Sequence, residues 1–317
     1  MRQPEPRCLA STPLACVHDR MGDTQPDLSV VLAASGDASA LDAALTALSE
    51  GCDGVSTELI VVRAEGRPTA GGEQRPVSAA QFVALPGTTL VPQLWGAGAR
   101  LATGTVVAFT TDQMRVCPGW GRSLHQAVTS GSVGAGGPID LTKRAAPTTA
   151  AVYFARFSGF IPGAVPVGAA VHDVAGDNAA YGRAALLQHA DLLADGFWEV
   201  EFHRRFERDG EVLRMAAAHA RFVGPTHFAD SLWRRYQHGR EFGRVRVHSH
   251  GASRPGILLR APLVPFVLIG RVARRVYLAQ RHRAQLVISL PWLALLCIAW
   301  ASGEATGAVI GRTKRTV

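Results

Sequence analysis

Four short apolar runs, separated by stretches with helical spacing, lie between residues 28 and 110 and leave few folds open. The runs are LSVVLAAS (Leu28 to Ser35), ELIVV (Glu58 to Val62), FVALP (Phe82 to Pro86) and TVVAFT (Thr105 to Thr110). Continuous apolar runs of this length mark strands buried on both faces, as in parallel sheets. Between the first two lies ALDAALTALSEG, with Leu41, Ala44, Leu45 and Leu48 at helical spacing and Gly51 as a stop. Before the fourth lies PQLWGAGARLATG, Pro92 to Gly104, a helix with Pro in its first turn. The β-α-β order predicts an α/β domain, a mostly parallel sheet with helices on both faces. Ligands of such sheets bind beyond the carboxyl ends of the strands. Ser35 to Asp37, Arg63 to Glu65 and Thr111 to Gln113 each follow a strand and are the first places to look for a site.

The second half is less regular. Gly131 to Pro138 leads into a strand, and residues 142 to 170, rich in Ala, Pro and Gly, read as an irregular excursion. Asp177 to Gln188 opens with polar residues and continues as a helix. GFWEVEFHRRFERDG, Gly196 to Gly210, predicts a charged amphipathic helix with apolar contacts from Phe197, Val200, Phe202 and Phe206. The divisions expected are a flexible leader over 1–27, an α/β domain over 28–250 with halves 28–130 and 131–250, and a tail over 251–317. The leader has no continuous apolar stretch and does not read as a signal peptide.

The tail changes character. ILLRAPLVPFVLIG, Ile257 to Gly270, is short and twice interrupted by Pro, so an interfacial or re-entrant helix is expected. AQLVISLPWLALLCIAWASG, Ala284 to Gly303, carries no charge over the length of a bilayer span. The basic stretch RVARRVYLAQRHR before it fits a cytoplasmic flank, which puts the α/β domain on the cytoplasmic side of a cell membrane. Arg312, Lys314 and Arg315 beyond it suit a hairpin that returns. The formal net charge is +8, and its excess sits beside apolar runs, a distribution that favours a membrane surface over nucleic acid. The five cysteines (Cys8, Cys16, Cys52, Cys117 and Cys297) are scattered without C-x-x-C spacing, which argues against a zinc site or a disulfide framework.

Several motifs occur in a telling order. LSVVLAAS and its helix come first. VPQLWGAGARLATGTVVAFTTDQMRVCPGW follows, ending in Pro118-Gly119-Trp120. Then come GDNAAYGRAAL (Gly176 to Leu186), GFWEVEFHRRFERDG, and RRYQHGREFGRVR (Arg234 to Arg246). Together, from about Leu28 to Arg246, they resemble the family 2 inverting glycosyltransferases of GT-A fold. The resemblance implies a Rossmann-like nucleotide-diphospho-sugar transferase domain followed by C-terminal hydrophobic helices. It implies transfer of a sugar, with inversion, from a nucleotide diphosphate sugar to a hydroxyl of a lipid-linked or cell-envelope acceptor.

Site residues follow from the same resemblance. Ala34, Ser35, Asp37, Arg63 and Asp112 are expected at the nucleotide, and Asp177, Asn178 and Trp198 at the acceptor. Glu199 falls where the family has its catalytic carboxylate, with Glu201 as the alternate; helical geometry turns these two to different faces, so one of them faces the site. A divalent metal, Mg or Mn, is expected on Asp112 with His227 as a further ligand. The chain departs from the family here, since Thr111-Asp112-Gln113 offers one acid where D-x-D offers two, and a lone Asp is a poor site for a hard cation. Plainer roles compete. Asp37, Asp177 and Asn178 suit helix caps, Trp198 and Trp120 suit a core, and His203 suits an i,i+4 pair with Glu199. A non-catalytic homologue acting as a membrane-bound scaffold is the rival reading.

Overall fold

The structure, a computed structural model, describes residues 25–64, 80–224, 227–248 and 251–310. The Gln- and Gly-rich loop after Glu65, most of the leader and the basic end of the tail lie outside the described residues.

The expected alternation is present. Strand β1 (Leu28–Ala34), helix α1 (Ala38–Gly51), β2 (Thr57–Ala64), β3 (Ala80–Leu85), α2 (Val91–Leu101) and β4 (Val106–Thr111) come in that order. There follow β5 (Met114–Val116), α3 (Trp120–Thr129), β6 (Gly134–Gly136), β7 (Ile139–Leu141), α4 (Pro147–Phe157) and β8 (Ala170–Val171). Then come β9 (Asn178–Gly182), α5 (Arg183–Gln188), α6 (Ala190–Leu193), α7 (Glu199–Arg208), β10 (Leu213–Met215) and β11 (Ala220–Phe222). Four helices close the chain: α8 (Phe228–His248), α9 (Arg254–Arg260), α10 (Val264–Ala279) and α11 (Arg283–Val309).

The main sheet has eight strands in the order β3-β2-β1-β4-β9-β6-β10-β8. It is mostly parallel; β9 runs against β4 and β6, and β8 against β10. A small sheet, β5-β11-β7, stands beside it. The fold is therefore α/β with a mostly parallel sheet.

Period-two alternation along β1, β2 and β4 supplies both faces. Val31, Ala33, Ile60, Val62 and Phe109 join Leu94 and Trp95 of α2 and Phe202 and Phe206 of α7. Val30, Leu32, Val61 and Ala108 join Leu45 and Leu48 of α1 and Trp120 and Leu124 of α3. Each buried Val, Leu, Ile or Phe among them contributes about 1.5–3 kcal/mol. Close approach of α2 to the sheet requires glycine, because a Cβ at Gly98 would lie 2.3 Å from the Val31 side chain.

Three sequence expectations are corrected. The excursion at 142–170 contains α4, whose Pro147 opens the first turn and whose Tyr153, Phe154 and Phe157 are buried. Asp177 to Gln188 is not a helix from its start; Asn178–Gly182 is a sheet strand that pairs with β4 and β6, and the helix begins at Arg183. In α7, Phe202 and Phe206 are buried with the preceding Phe197, but Val200 is 48% exposed.

The tail also differs from expectation. Pro262 and Pro265 do not break the first apolar segment, because a 3₁₀ turn at Ala261–Leu263 carries the helical path from α9 into α10. Arg254–Ala279 and Arg283–Val309 are both long and apolar enough to cross a membrane, by length and composition alone. A short turn with positive φ at Gln280 and His282 joins them into a hairpin. The boundary expected at 250 falls between α8 and α9, yet α11 packs on α4 and α8. The α8–α11 contact is backbone to backbone. A Cβ at Gly303 would fall 2.1 Å from the Tyr236 carbonyl oxygen, and one at Gly307 1.8 Å from that of Arg240.

Candidate functional site

The carboxyl edge of the sheet collects most of the expected site residues. At the end of β1, Ala34 is buried and stands in register with Arg63 at the end of β2. The chain then turns, and the backbone N–H groups of Ser35 and Gly36 both donate to Asp112 Oδ2, Ser35 at 2.7 Å. Asp112 follows the last residue of β4 and is fully buried. Its other oxygen, Oδ1, is sealed from solvent without a hydrogen-bond partner. Burial raises its pKa, and the two N–H bonds, Arg234 and Arg115 hold that rise back. The Arg115 guanidinium also donates to the Asp112 carbonyl at 2.8 Å.

Asp37 takes its plainer role. It caps α1, with Oδ1 accepting from the Ala40 N–H and the Ser39 hydroxyl, each at 2.8 Å, and these bonds lower its pKa. His227 is exposed, and its charge acts on the Asp37 carboxylate.

The second part of the edge is built by α4, α7 and the loop before β9. Arg156 of α4 grips Asp177 with one nitrogen, Nη2, at 2.9 and 2.8 Å from the two carboxylate oxygens. Thr111 at the end of β4 donates its hydroxyl to Asp177 Oδ1 at 3.3 Å, which ties the two parts together. Asn178, next in sequence, is fully buried. Its Oδ1 accepts the Trp120 indole N–H at 2.6 Å, and its amide donates to the Pro138 and Ala218 carbonyls. Asn178 thus braces the junction of the two sheets, and Trp120 is core.

Helix α7 is aimed by aromatic packing just before it. Phe197 stacks on Phe109 of β4 at 4.3 Å between ring centroids and lies 4.7 Å from Phe202. Its N–H donates to the Pro92 carbonyl at 2.7 Å. Two residues later Glu199 turns inward, where Oε2 accepts the Gly176 N–H at 3.2 Å. Glu201 turns outward and pairs with Arg204 at 3.2 Å. The choice the sequence left open is settled as geometry: Glu199 faces the edge and Glu201 faces solvent. Trp198 is partly buried, and its indole N–H donates to the Asp195 carbonyl at 3.2 Å. His203 does not pair with Glu199. Its ring nitrogens contact Asp173 at 2.7 Å and the Tyr181 hydroxyl at 2.8 Å.

Glu199 is electrostatically unusual. Burial, then the nearby negative charges of Asp177 and Asp173, push its pKa to about 8, against the pull of Arg156 and the Gly176 N–H. A carboxyl tuned near neutrality is suited to proton transfer. Gly176 is required beside it, because a Cβ there would come 2.2 Å from Glu199 Oε2 and 3.0 Å from the Trp95 ring.

Asp112 by itself is a poor site for a divalent metal, which needs several oxygen ligands. One oxygen of Asp112 already holds two backbone N–H groups, and the charges nearest to it are arginines. Among the described residues no three of His, Cys, Asp and Glu converge as a metal-binding group. A recess of about 260 Å³ is lined by Thr89, Gln93, Arg100 and Asp195 among others and contains none of these carboxylates.

Sequence reasoning missed Arg156 and Arg115. A signal for the first existed: Pro147 followed by Ala150, Tyr153, Phe154 and Phe157 has helical spacing, which would have placed Arg156 on a helix. Nothing in the sequence pointed to Arg115. Comparison with protein-family models yields no match, and comparison with curated proteins yields none.

Proposed function

We propose that this chain is a glycosyltransferase of GT-A type that works at the cytoplasmic face of a cell membrane. Its donor is a nucleotide diphosphate sugar, and its acceptor is a hydroxyl on a lipid-linked or cell-envelope glycan. The observation that carries this reading is Glu199, an inward carboxyl with its pKa near 8 beside the Arg156–Asp177 pair at the carboxyl edge of the sheet. In this reading Glu199 takes the proton of the acceptor hydroxyl. The freed oxygen attacks the anomeric carbon from the side opposite the diphosphate, a new C–O bond forms, and the bond to the diphosphate breaks. The diphosphate leaves with the electron pair, and the configuration inverts.

The leaving diphosphate needs positive charge. Because Asp112 by itself is a poor site for a divalent cation, the reading assigns that charge to Arg115 and Arg234. Asp112 then shapes the turn after β1, beside which the nucleotide sits. Asp177 stays with Arg156 and orients the acceptor.

A second reading, a non-catalytic membrane scaffold of the same fold, is favoured by one observation: the single acid of Thr111-Asp112-Gln113 is committed to backbone. A transfer assay with a panel of nucleotide sugars and polyprenyl-phosphate or glycolipid acceptors separates the two. Transfer that persists in EDTA and collapses in Glu199→Gln supports the enzyme with arginine-borne charge. Transfer by neither native chain nor variant supports the scaffold, and transfer abolished by EDTA returns the charge to a metal.

A further inference from the structure

The second tail helix has the length and composition of a membrane span, but protein packs against one side of it along its length. At its start, Asp140 of β7 receives the His282 ring at 2.6 Å and the Arg281 guanidinium at 2.8 Å. In its middle, Leu286, Leu293 and Leu296 share one buried cluster with Tyr153 and Phe157 of α4 and Phe222 of β11. Towards its end, Gly303 and Gly307 meet the backbone of α8 directly. Glu304, buried there, pairs with Arg246, and the Arg235 guanidinium lies 4.4 Å over the Trp300 ring.

A helix of 27 residues is about 40 Å long. Standing α11 across a bilayer would carry α8 into hydrocarbon with it, including Arg235, Arg240, Glu241, Arg244 and Arg246. Charged groups at that depth are strongly disfavoured. The glycine contacts leave no room to slide a lipid chain between the two helices.

The uncovered side of the hairpin is apolar. On α9 and α10, Leu259 is 82% exposed and Phe266 74%. Val287, Ile288 and Ile298 are exposed on α11. Every charged residue between Arg254 and Gly303 is an arginine. An exposed apolar helix pair with only positive charge along it is complementary to the acyl chains and headgroups of an anionic leaflet.

We propose that the α9–α11 hairpin lies in the plane of one leaflet of an anionic bilayer and does not span it. The apolar side sits among the upper acyl chains, and the arginines reach the headgroups. The docked α4 and α8 stay on the aqueous side. The inference stands whether or not the chain transfers sugars.

Two measurements test it on the full chain. The first uses a version with its five cysteines replaced by alanine, carrying Gln280→Cys or Ile310→Cys, in sealed membrane vesicles of known sidedness. A membrane-impermeant maleimide should label both positions from the same side; labelling from opposite sides means a span and overturns the proposal. The second mixes purified protein with vesicles of phosphatidylglycerol or of phosphatidylcholine. Binding should favour phosphatidylglycerol and weaken with salt. The double variant Leu259→Glu, Phe266→Glu should lower the bound fraction on the order of tenfold, with an unchanged circular dichroism spectrum because both side chains are exposed. Dimerisation of the native chain without vesicle binding, abolished by the same pair of substitutions, would show that a second copy covers the face and would overturn the proposal.

Discussion

The carboxyl edge of the sheet holds two acids in opposite circumstances. At the β1–β4 end, Asp112 is fully buried, with one oxygen bound to the backbone N–H groups of Ser35 and Gly36. At the β9–α7 end, Glu199 holds a single weaker N–H bond at 3.2 Å and feels Asp177 and Asp173 nearby. Burial raises the pKa of both, but two strong N–H bonds restrain the rise at Asp112, while at Glu199 neighbouring negative charges add to it. A carboxylate oxygen held by two backbone N–H groups organises a turn; a carboxylate holding one weaker N–H bond among negative neighbours remains available for a proton. Depth of burial alone does not separate the roles, but the donors around each carboxylate do.

The largest expected effect breaks the comparison at its catalytic side. Glu199→Gln should lower kcat on the order of 10²–10⁴-fold, and undiminished transfer would remove Glu199 from the reaction. The same variant tests stability. A carboxyl with a raised folded-state pKa is most stabilising when protonated, so its contribution is full below the unfolded value of 4.5 and is lost as pH rises through about 8. Native and variant chains should therefore match near pH 4 in chemical denaturation. At pH 9 the Gln form should be more stable by about 2 kcal/mol, after allowance for partial exposure.

Gly176→Ala should come next. Its Cβ would meet the Glu199 carboxylate, and a displaced base costs on the order of 10²-fold in kcat with little change in KM. A variant with native kinetics would show that the carboxylate moves during turnover. Arg156→Ala leaves Asp177 buried without its cation, and about 3 kcal/mol of stability should be lost in urea titration. It also removes a pull that lowers the pKa of Glu199, so the rise of activity with pH should shift upward. The smallest effect belongs to the structural side. Asp112→Ala strands two N–H groups and should cost about 2 kcal/mol in thermal unfolding. Asp112→Asn, which keeps an acceptor oxygen, should cost less.

Legibility followed the range of the interactions. Strands β1, β2 and β4 were readable because residues buried on both faces form an unbroken apolar run, and α1 because Leu41, Ala44, Leu45 and Leu48 repeat within one helix. Glu199 was reachable because GFWEVEFHRRFERDG, a run legible as an amphipathic helix, carries it at the start of α7. Arg156 was hidden in a segment whose Pro and Gly content resembles a loop. Asn178 was expected at the acceptor, with a helix cap as the competing role; its bracing of the two sheets was not legible because its partners, Trp120, Pro138 and Ala218, lie 40 or more residues away in the chain.

By itself the sequence determined the α/β alternation, the strand ends where a site would form, and the apolar, arginine-flanked character of the tail. These depend on side chains a few residues apart, and periodicity records them. Only the tertiary structure decided that Glu199 faces inward and Glu201 outward, that Asp112 is tied to the β1 turn, and that α11 lies along the domain under α4 and α8. Those outcomes depend on which distant backbone groups and side chains come within a few ångströms, and spacing along a chain does not encode such distances in a readable form.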